Sequence, residues 1–272
     1  MGRMSGNGVE VSLVQTAAAA DSALQRERVE QWGDRLAGAR GGTPDLVVLP
    51  EGVMHDFGPA GDDLAAAAEP LDGPFVSVVA EQARRLSALV VAGMFERSDD
   101  PARPYNTLVA LGPDGDLLGV SRKVHLYDSF GHRESDRLRP GAVEPLVLPL
   151  DGFRLGLMTC YDLRFPEYAR LLVDAGADTL VVPAAWVRGP LKEEHWTTLL
   201  RARAIENTTY VLAAAQGGAA YAGRTQAVDP LGVVVAAAGD EETVVSARLD
   251  PDRLAHARAR NPALQHRRVP VG

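Results

Sequence analysis

Phe153-Arg154-Leu155-Gly156-Leu157-Met158-Thr159, followed at once by Cys160-Tyr161-Asp162-Leu163-Arg164-Phe165-Pro166-Glu167, is an apolar run that gives way abruptly to polar residues. The chain's only cysteine stands at the changeover. The run has the length of a strand, Asp151-Gly152 before it is a hairpin turn that pairs it with residues 145–150, and Pro166 marks the first turn of a helix. A thiol at the exit of a buried strand sits where backbone amides and charged side chains can converge on it. Taken alone, a single cysteine reads more readily as a small core hydrophobe than as a nucleophile. The surrounding sequence has to decide between the two.

Outward from this stretch, strand and helix signals alternate. Residues 9–15 read as a first strand, and the alanine-rich residues 17–39 as a helix stopped by Gly41-Gly42. Asp45-Leu46-Val47-Val48-Leu49-Pro50 is the continuous apolar run of a central strand, and Glu51 stands at its end. Pro74 opens a helix to residue 88, followed by a buried strand over 89–95. Residues 105–112 and 117–122 flank Pro113-Asp114-Gly115-Asp116 and predict an antiparallel hairpin, with Lys123 just past its second arm. A polar loop over 125–144 leads to the hairpin at Asp151-Gly152. Beyond Cys160 the pattern predicts a helix over 166–175, a strand over 178–182 and a helix over 190–207 with Trp196, Leu199, Leu200 and Ala204 on one face. Strand signals follow over 209–215, 225–228, 232–237 and 243–249, then a helix over 251–260. This interleaving predicts an α/β chain with mixed sheets and outer helices, in which residues 9–272 form one domain behind a frayed segment over 1–8.

With 272 residues, 46% of them hydrophobic, the chain can bury a substantial core. One cysteine excludes an internal disulfide and a multi-cysteine zinc site, and it fits a reducing, cytoplasmic compartment. Residues 1–8 lack the apolar stretch of a secretory signal, and no later segment keeps the roughly 18 uncharged apolar residues of a membrane span, so a soluble protein without a membrane partner is expected. The net charge is −8 and the basic residues are scattered, which argues against nucleic acid and for a small-molecule partner. Of the 28 Lys+Arg residues, Lys123 and Lys192 alone are lysine.

Glu51, Lys123 and Cys160 share one topological address, the end of a predicted apolar strand, where active sites of sheet proteins gather. Their chemistry is complementary. A free thiol has a pKa of about 8.5, so a base must take its proton as it attacks an acyl carbon, and Glu51 can do so. Attack puts negative charge on the carbonyl oxygen, which Lys123 and the backbone N–H of Tyr161 can hold. The proton on Glu51 then serves the leaving amine, and Glu51 activates the water that opens the thioester. The scheme needs no metal or cofactor. Singly, Glu51 also reads as a solvated loop carboxylate and Lys123 as a surface cation; their shared placement favours the site.

Leu49-Pro50-Glu51, Arg122-Lys123-Val124-His125-Leu126-Tyr127-Asp128 and Cys160-Tyr161-Asp162-Leu163-Arg164-Phe165-Pro166-Glu167 resemble, in order, the Glu, Lys and Cys motifs of the nitrilase (carbon–nitrogen hydrolase) superfamily. Tyr105-Asn106-Thr107, Arg201-Ala202-Arg203-Ala204-Ile205-Glu206-Asn207, Asp229-Pro230-Leu231-Gly232 and His266-Arg267-Arg268 extend the resemblance over residues 9–268. It implies a four-layer αββα sandwich with two mixed sheets, commonly paired into a homodimer. It also implies a second glutamate after the lysine, which Glu134 in Arg133-Glu134-Ser135 matches, orienting Lys123 and positioning substrate. The plain alternative for Glu134 is a solvated loop charge.

Nitrile-cleaving members usually carry Trp-Glu after the nucleophile, whereas Cys160-Tyr161-Asp162 resembles the amidase-type Nit branch, which includes deaminated-glutathione amidase and ω-amidase. That implies a small carboxylate-bearing amide as substrate; N-carbamoyl or nitrile hydrolysis by the same triad is the alternative, and a non-catalytic binding protein on this fold is another. Two segments depart from the branch, Gly223-Arg224-Thr225 and Val182-Pro183-Ala184-Ala185-Trp186, and both are expected to border the pocket. Substrate contacts are expected from Tyr161, Tyr127, Arg164 and Trp186. Arg164, Arg188 or Arg224 could offer a carboxylate its bidentate fork, or could equally make structural ion pairs. A Cys-His arrangement using His55, His125, His132, His195, His256 or His266 stays open from the residues alone, although the resembled family does not use one. His132-Arg133-Glu134 matches half of a zinc-deaminase signature whose Pro-Cys-x-x-Cys partner cannot exist with one cysteine, so no metal is expected.

Overall fold

The computed structural model describes residues 8–39, 42–59 and 61–269. In chain order the elements are β1 (Val9–Gln15), α1 (Ser22–Ala37), β2 (Leu46–Val48), α2 (Leu64–Ala67), α3 (Pro74–Leu86), β3 (Leu89–Glu96), β4 (Tyr105–Leu111), β5 (Leu117–Arg122), β6 (Val147–Leu150), β7 (Phe153–Leu157), α4 (Pro166–Asp174), β8 (Thr179–Ala184), α5 (Lys192–Asn207), β9 (Tyr210–Ala215), β10 (Gln226–Val228), β11 (Val234–Ala237), β12 (Thr243–Leu249) and α6 (Pro251–Arg260). One-turn 3-10 segments cover Glu134–Asp136, Cys160–Arg164 and Ala263–His266.

Strands apolar on both faces belong inside a layered structure, and the two faces separate cleanly here. One sheet runs β12-β1-β2-β3-β4-β5 and the other β11-β10-β9-β8-β7-β6. In each, the central strands pair in parallel, β1 with β2 and β2 with β3, β7 with β8 and β8 with β9. The outer pairs are antiparallel, so both sheets are mixed. Leu46, Val48, Leu89 and Val91 of the first sheet meet Leu157, Val181, Leu212 and Ala214 of the second in a shared core. The alternate residues Val47, Val90 and Val109 turn outward against Trp32 of α1 and Phe75 of α3. On the far side Leu180, Val182 and Val211 pack on Leu172 of α4 and on Trp196 and Leu200 of α5. The order of layers is therefore α-β-β-α, as the resemblance implied. Each fully buried Leu or Val contributes on the order of 1.5–3 kcal/mol, so the sheet interface is the main source of cohesion.

Some boundaries differ from the sequence expectation for identifiable reasons. The helix expected over 17–39 begins at Ser22, where the Asp21 side chain accepts the N–H groups of Ala23 and Leu24 as an N-cap. Residues 17–20 are helix formers by composition, but the N–H of Ala17 goes to Glu242 and that of Ala18 to Gln216, so tertiary hydrogen bonds override propensity. The helix ends at Ala37 and is capped by Gly38, ahead of the Gly41-Gly42 stop, whose Gly41 lies outside the described residues. The helix expected from 190 starts at Lys192 because Leu191 takes a left-handed φ of 59°. Helix α2 is too short to carry a periodic signal. The segment expected to fray, residues 1–8, lies outside the described residues except for Gly8. Among the described residues no helix is long and apolar enough to cross a membrane.

Candidate active site

The turn after β2 carries Glu51, and it lies directly on β3. Met54 N–H bonds Gly93 O at 3.3 Å and Gly93 N–H bonds Pro50 O at 3.2 Å. A Cβ on Gly93 would lie 2.5 Å from Gly52 N and 2.7 Å from the Glu51 Cα, so this approach requires glycine. Glu51 is 1% exposed, yet its carboxylate is well supplied with donors. Oε1 accepts from Asn106 Nδ2 at 2.7 Å and Lys123 Nζ at 2.9 Å; Oε2 accepts from the backbone N–H of Ala185 at 2.6 Å. Gln216 Nε2 donates to the Glu51 carbonyl at 2.8 Å. A residue rooted in one sheet is thus fixed from the other, its side chain by the end of β8 and its backbone carbonyl by the end of β9.

Lys123 follows β5, its N–H bonded to Asn106 O at 2.8 Å, and is 2% exposed. Its ammonium lies between Glu51 Oε1 at 2.9 Å and Glu134, whose Oε1 and Oε2 are 2.9 and 2.8 Å away. The N–H of Tyr127 donates to Glu134 Oε2 at 2.6 Å and anchors the loop that brings this glutamate back. Burial works against the Lys123 charge, but the Glu134 and Glu51 carboxylates outweigh it and hold the ammonium well above the usual lysine range. For Glu134, burial raises the carboxyl, Lys123 lowers it, Glu51 raises it again, and the balance lies above the ordinary value.

Cys160 opens its 3-10 turn with φ 45°, a left-handed conformation that a side-chain-bearing residue adopts only when its surroundings enforce it. Asp162 supplies the enforcement. Its Oδ2 accepts from Thr159 N–H at 3.0 Å, and its Oδ1 lies 2.9 Å from His125 N and 2.8 Å from His125 Nδ1. The His125 ring in turn stacks on Phe165 with centroids 3.7 Å apart. The cysteine turn is thereby bolted to the loop that follows Lys123. Burial pushes the Cys160 thiol well above the usual range and the Glu51 charge adds to this, against the opposing pull of Lys123. The resting sulfur is a neutral thiol, and attack has to be coupled to proton removal.

A cavity of 230 Å³ opens onto Glu51, Lys123, Glu134 and Cys160 together. Tyr127, Tyr161 and Trp186 wall it, with the Tyr127 and Tyr161 rings edge to face at 5.0 Å. A thiol, a buried carboxylate and a fixed ammonium around one enclosed space can support nucleophilic attack on an acyl group, with the base and the cation already oriented. A family model for carbon-nitrogen hydrolases matches residues 10–259. The chain belongs to the carbon-nitrogen hydrolase family. It is 38% identical over 256 residues to a deaminated glutathione amidase of Escherichia coli O157:H7, covering 94% of this chain and 97% of that one. A hydrolase of Mycobacterium tuberculosis is 37% identical over 274 residues, with 95% of each chain covered. Among solved structures, a carbon-nitrogen hydrolase superfamily protein of Xanthomonas campestris with an arsenic adduct in its active site matches with a TM-score of 0.86 at 32% identity, over 97% of this chain and 98% of that one.

As a carbon-nitrogen hydrolase the chain is an amide-cleaving enzyme in class, and most residues singled out by sequence meet in its cavity: Glu51, Lys123, Glu134, Cys160, Tyr127, Tyr161 and Trp186 all line it. Arg164 does not. Its guanidinium lies over the Trp186 ring, 4.8 Å from the centroid, with Nη2 at 3.4 Å from His195 Nδ1. Arg188 donates to the carbonyl of Tyr221 at 2.7 Å, and Arg224 sits 3.5 Å from Asp240; neither lines the cavity. Of the departing segments, Ala185 and Trp186 border the cavity whereas Gly223-Arg224-Thr225 does not. Among the histidines, His132 reaches the cavity wall, stacked on Tyr127 at 5.2 Å. Asn106, the N–H of Ala185, Lys192 and Tyr221 had no role in the site assigned from the sequence. Asn106 had a signal, an amide in an otherwise apolar strand, and Lys192 had another, its survival as lysine in an arginine-rich chain.

Proposed function

We propose that the protein hydrolyses the terminal amide of a small carboxylate-bearing acyl compound, of the 2-oxo acid ω-amide or deaminated-glutathione type, and releases ammonia through a thioester on Cys160. The observation that carries this reading is the Glu51 carboxylate, which shares the Lys123 ammonium at 2.9 Å and faces the same cavity as the thiol. Its Oε1 already accepts two hydrogen bonds and its Oε2 one, which leaves a lone pair on Oε2 for the thiol proton. As that proton moves to Glu51, Sγ bonds to the amide carbon. The carbonyl oxygen takes up the negative charge against Lys123 Nζ and the N–H of Tyr161. Collapse breaks the carbon–nitrogen bond, and the proton on Glu51 leaves with the nitrogen as ammonia. Water then gives a proton to Glu51 and its oxygen to the thioester carbon; the sulfur departs and recovers the proton as the carboxylic acid forms. Glu134 is a positioning residue that keeps the ammonium of Lys123 in place.

The carboxylate on the substrate is supported by the relatives named deaminated glutathione amidase and by the cationic side chains Arg133, Arg137 and Lys192 on the cavity wall. We infer a single-domain cytoplasmic homodimer as the working form. The lone buried cysteine suits a reducing compartment, and the exposed apolar residues Ile205, Leu231, Val233 and Val235 suit a second copy. The test is ammonia release from a panel of 2-oxo acid ω-amides, aliphatic amides, N-carbamoyl compounds and nitriles. Release from the ω-amides that disappears in Cys160→Ala is expected. Release confined to nitriles or N-carbamoyl compounds overturns the amide reading, and unchanged release by Cys160→Ala overturns the thioester.

A further inference from the structure

Lys192 is the second of the chain's two lysines, and it is 4% exposed at the first turn of α5. Its backbone is fixed by Trp186, whose indole N–H donates to Lys192 O at 2.8 Å. The ammonium sits among aromatic faces, 4.7 Å from the Tyr127 centroid, 4.6 Å from Phe130 and 5.1 Å from Trp186. It donates to the Tyr127 hydroxyl at 2.9 Å, and Lys192 lines the cavity that holds Cys160.

This lysine contrasts with Lys123. Lys123 has two carboxylates at hydrogen-bond distance, whereas Lys192 forms no ion pair among the described residues. Contacts with ring faces return less than is lost on desolvating an ammonium. Burial and the nearby Arg164 both push its pKa below the usual lysine value. An ammonium has three protons, and Tyr127 takes one of them. The other cations on the wall are engaged or solvated. Arg137 donates to the carbonyls of Asp62 and Phe57, at 3.1 and 2.5 Å, and the Arg133 side chain is 73% exposed beside Asp136.

We propose that Lys192 recognises the substrate's carboxylate, pairing with it while the amide carbon lies against Cys160. This assignment rests on the amidase reading above and names the residue that selects an anionic acyl chain. A buried ammonium without a counter-ion gains most from a ligand that brings one, whereas a neutral amide leaves it unpaired. Lys192 thereby discriminates by charge from the wall of the same cavity that Cys160 lines.

The test compares an ω-amide of a 2-oxo acid with its neutral methyl ester, in the wild type and in Lys192→Met, which keeps an unbranched side chain one atom shorter and removes the charge. The ratio of kcat/KM for the acid over the ester should fall about 10- to 100-fold in Lys192→Met, the loss expected for one charge-assisted hydrogen bond. Lys192→Arg should retain most of the ratio. A parallel fall for both substrates overturns the proposal. A second measurement is independent of turnover: glutarate should protect Cys160 of the wild type from iodoacetamide, and Lys192→Met should need about 10- to 100-fold more glutarate for equal protection. Equal protection in both proteins, or none in the wild type, overturns the assignment. A wild type that hydrolyses neither amide nor ester would instead refute the amidase reading, while the protection assay still decides the role of Lys192.

Discussion

Cys160 is held in a state that favours attack only when substrate and base are both in place, because burial and the Glu51 charge keep its thiol protonated. That has a consequence for stability. In the unfolded chain the thiol ionises near pH 8.5, but in the folded protein it does so only at higher pH, so its contribution is complete below pH 8.5 and is lost as pH rises above it. The loss should approach about 1.4 kcal/mol per pH unit for this single group. Urea unfolding of Cys160→Ala and wild type at successive pH values should therefore show the variant gaining on the wild type above about pH 8.5; a difference that stays constant with pH would refute the buried neutral thiol. Lys123→Arg tests the other side of the site. The ammonium is closed in at 2.8–2.9 Å by two carboxylates, and a planar guanidinium has no room for the same geometry. Its kcat should fall by about 1000-fold or more with the fold intact, by ammonia release and circular dichroism, as expected when an oxyanion donor is lost; wild-type turnover would remove Lys123 from the oxyanion site. Glu51 and Cys160 stood out in the sequence because each is a reactive side chain abruptly ending an apolar run, and Lys123 because it is a lysine just past a hairpin arm in an arginine-rich chain. The N–H of Ala185, which holds the second oxygen of Glu51, was not legible, because a backbone donor leaves no mark in residue type.

At the scale of elements, the strands of the two central sheets were readable as apolar runs, and the hairpins at Asp114-Gly115 and Asp151-Gly152 as turn chemistry. Their spatial order was not, since apolar runs such as Leu46–Val48 and Thr179–Ala184 look alike in sequence but belong to different sheets. The start of α1 was misread for a related reason. Ala17 and Ala18 are held by Glu242 and Gln216, about 200 positions away in sequence. Gly93 shows how such long-range contacts reach the chemistry. It lies in the middle of β3, where a glycine ordinarily weakens a strand, and its absent side chain is what lets the Glu51 turn rest on the strand. Gly93→Ala puts a methyl group 2.5 Å from Gly52 N, so either the strand or the turn must move. The expected result is a loss of about 1–3 kcal/mol in urea unfolding, typical of overpacking, together with a fall in kcat of about 100-fold from a displaced base. Wild-type kcat in a stably folded Gly93→Ala protein would show that the turn adapts without moving Glu51.

Across the whole molecule, the site depends on the seam between the sheets. Glu51, Asn106 and Lys123 come from the β2, β4 and β5 side, whereas Cys160 and the Ala185 N–H come from the ends of β7 and β8. The shared apolar core between the sheets therefore also sets the distance between Glu51 and Cys160. The surface carries a further demand. Strand β11 is a sheet edge; Val233 just before it and Val235 within it are 52% and 51% exposed, with Ile205 at 45% and Leu231 at 40% close by around Gly232. An uncovered sheet edge with apolar side chains invites another chain, and soluble proteins rarely leave such a combination open. A second copy meeting this patch would bury it by two-fold pairing, the commonest closed symmetry. Sedimentation equilibrium of the wild type should accordingly give twice the chain mass of 28.9 kDa. The double variant Val233→Asp/Val235→Asp should sediment at the mass of one chain, because a symmetric contact places the new carboxylates near their own copies and leaves them poorly solvated. A wild type that sediments as a single chain would refute the pairing, and a double variant that remains paired would move the contact to another face.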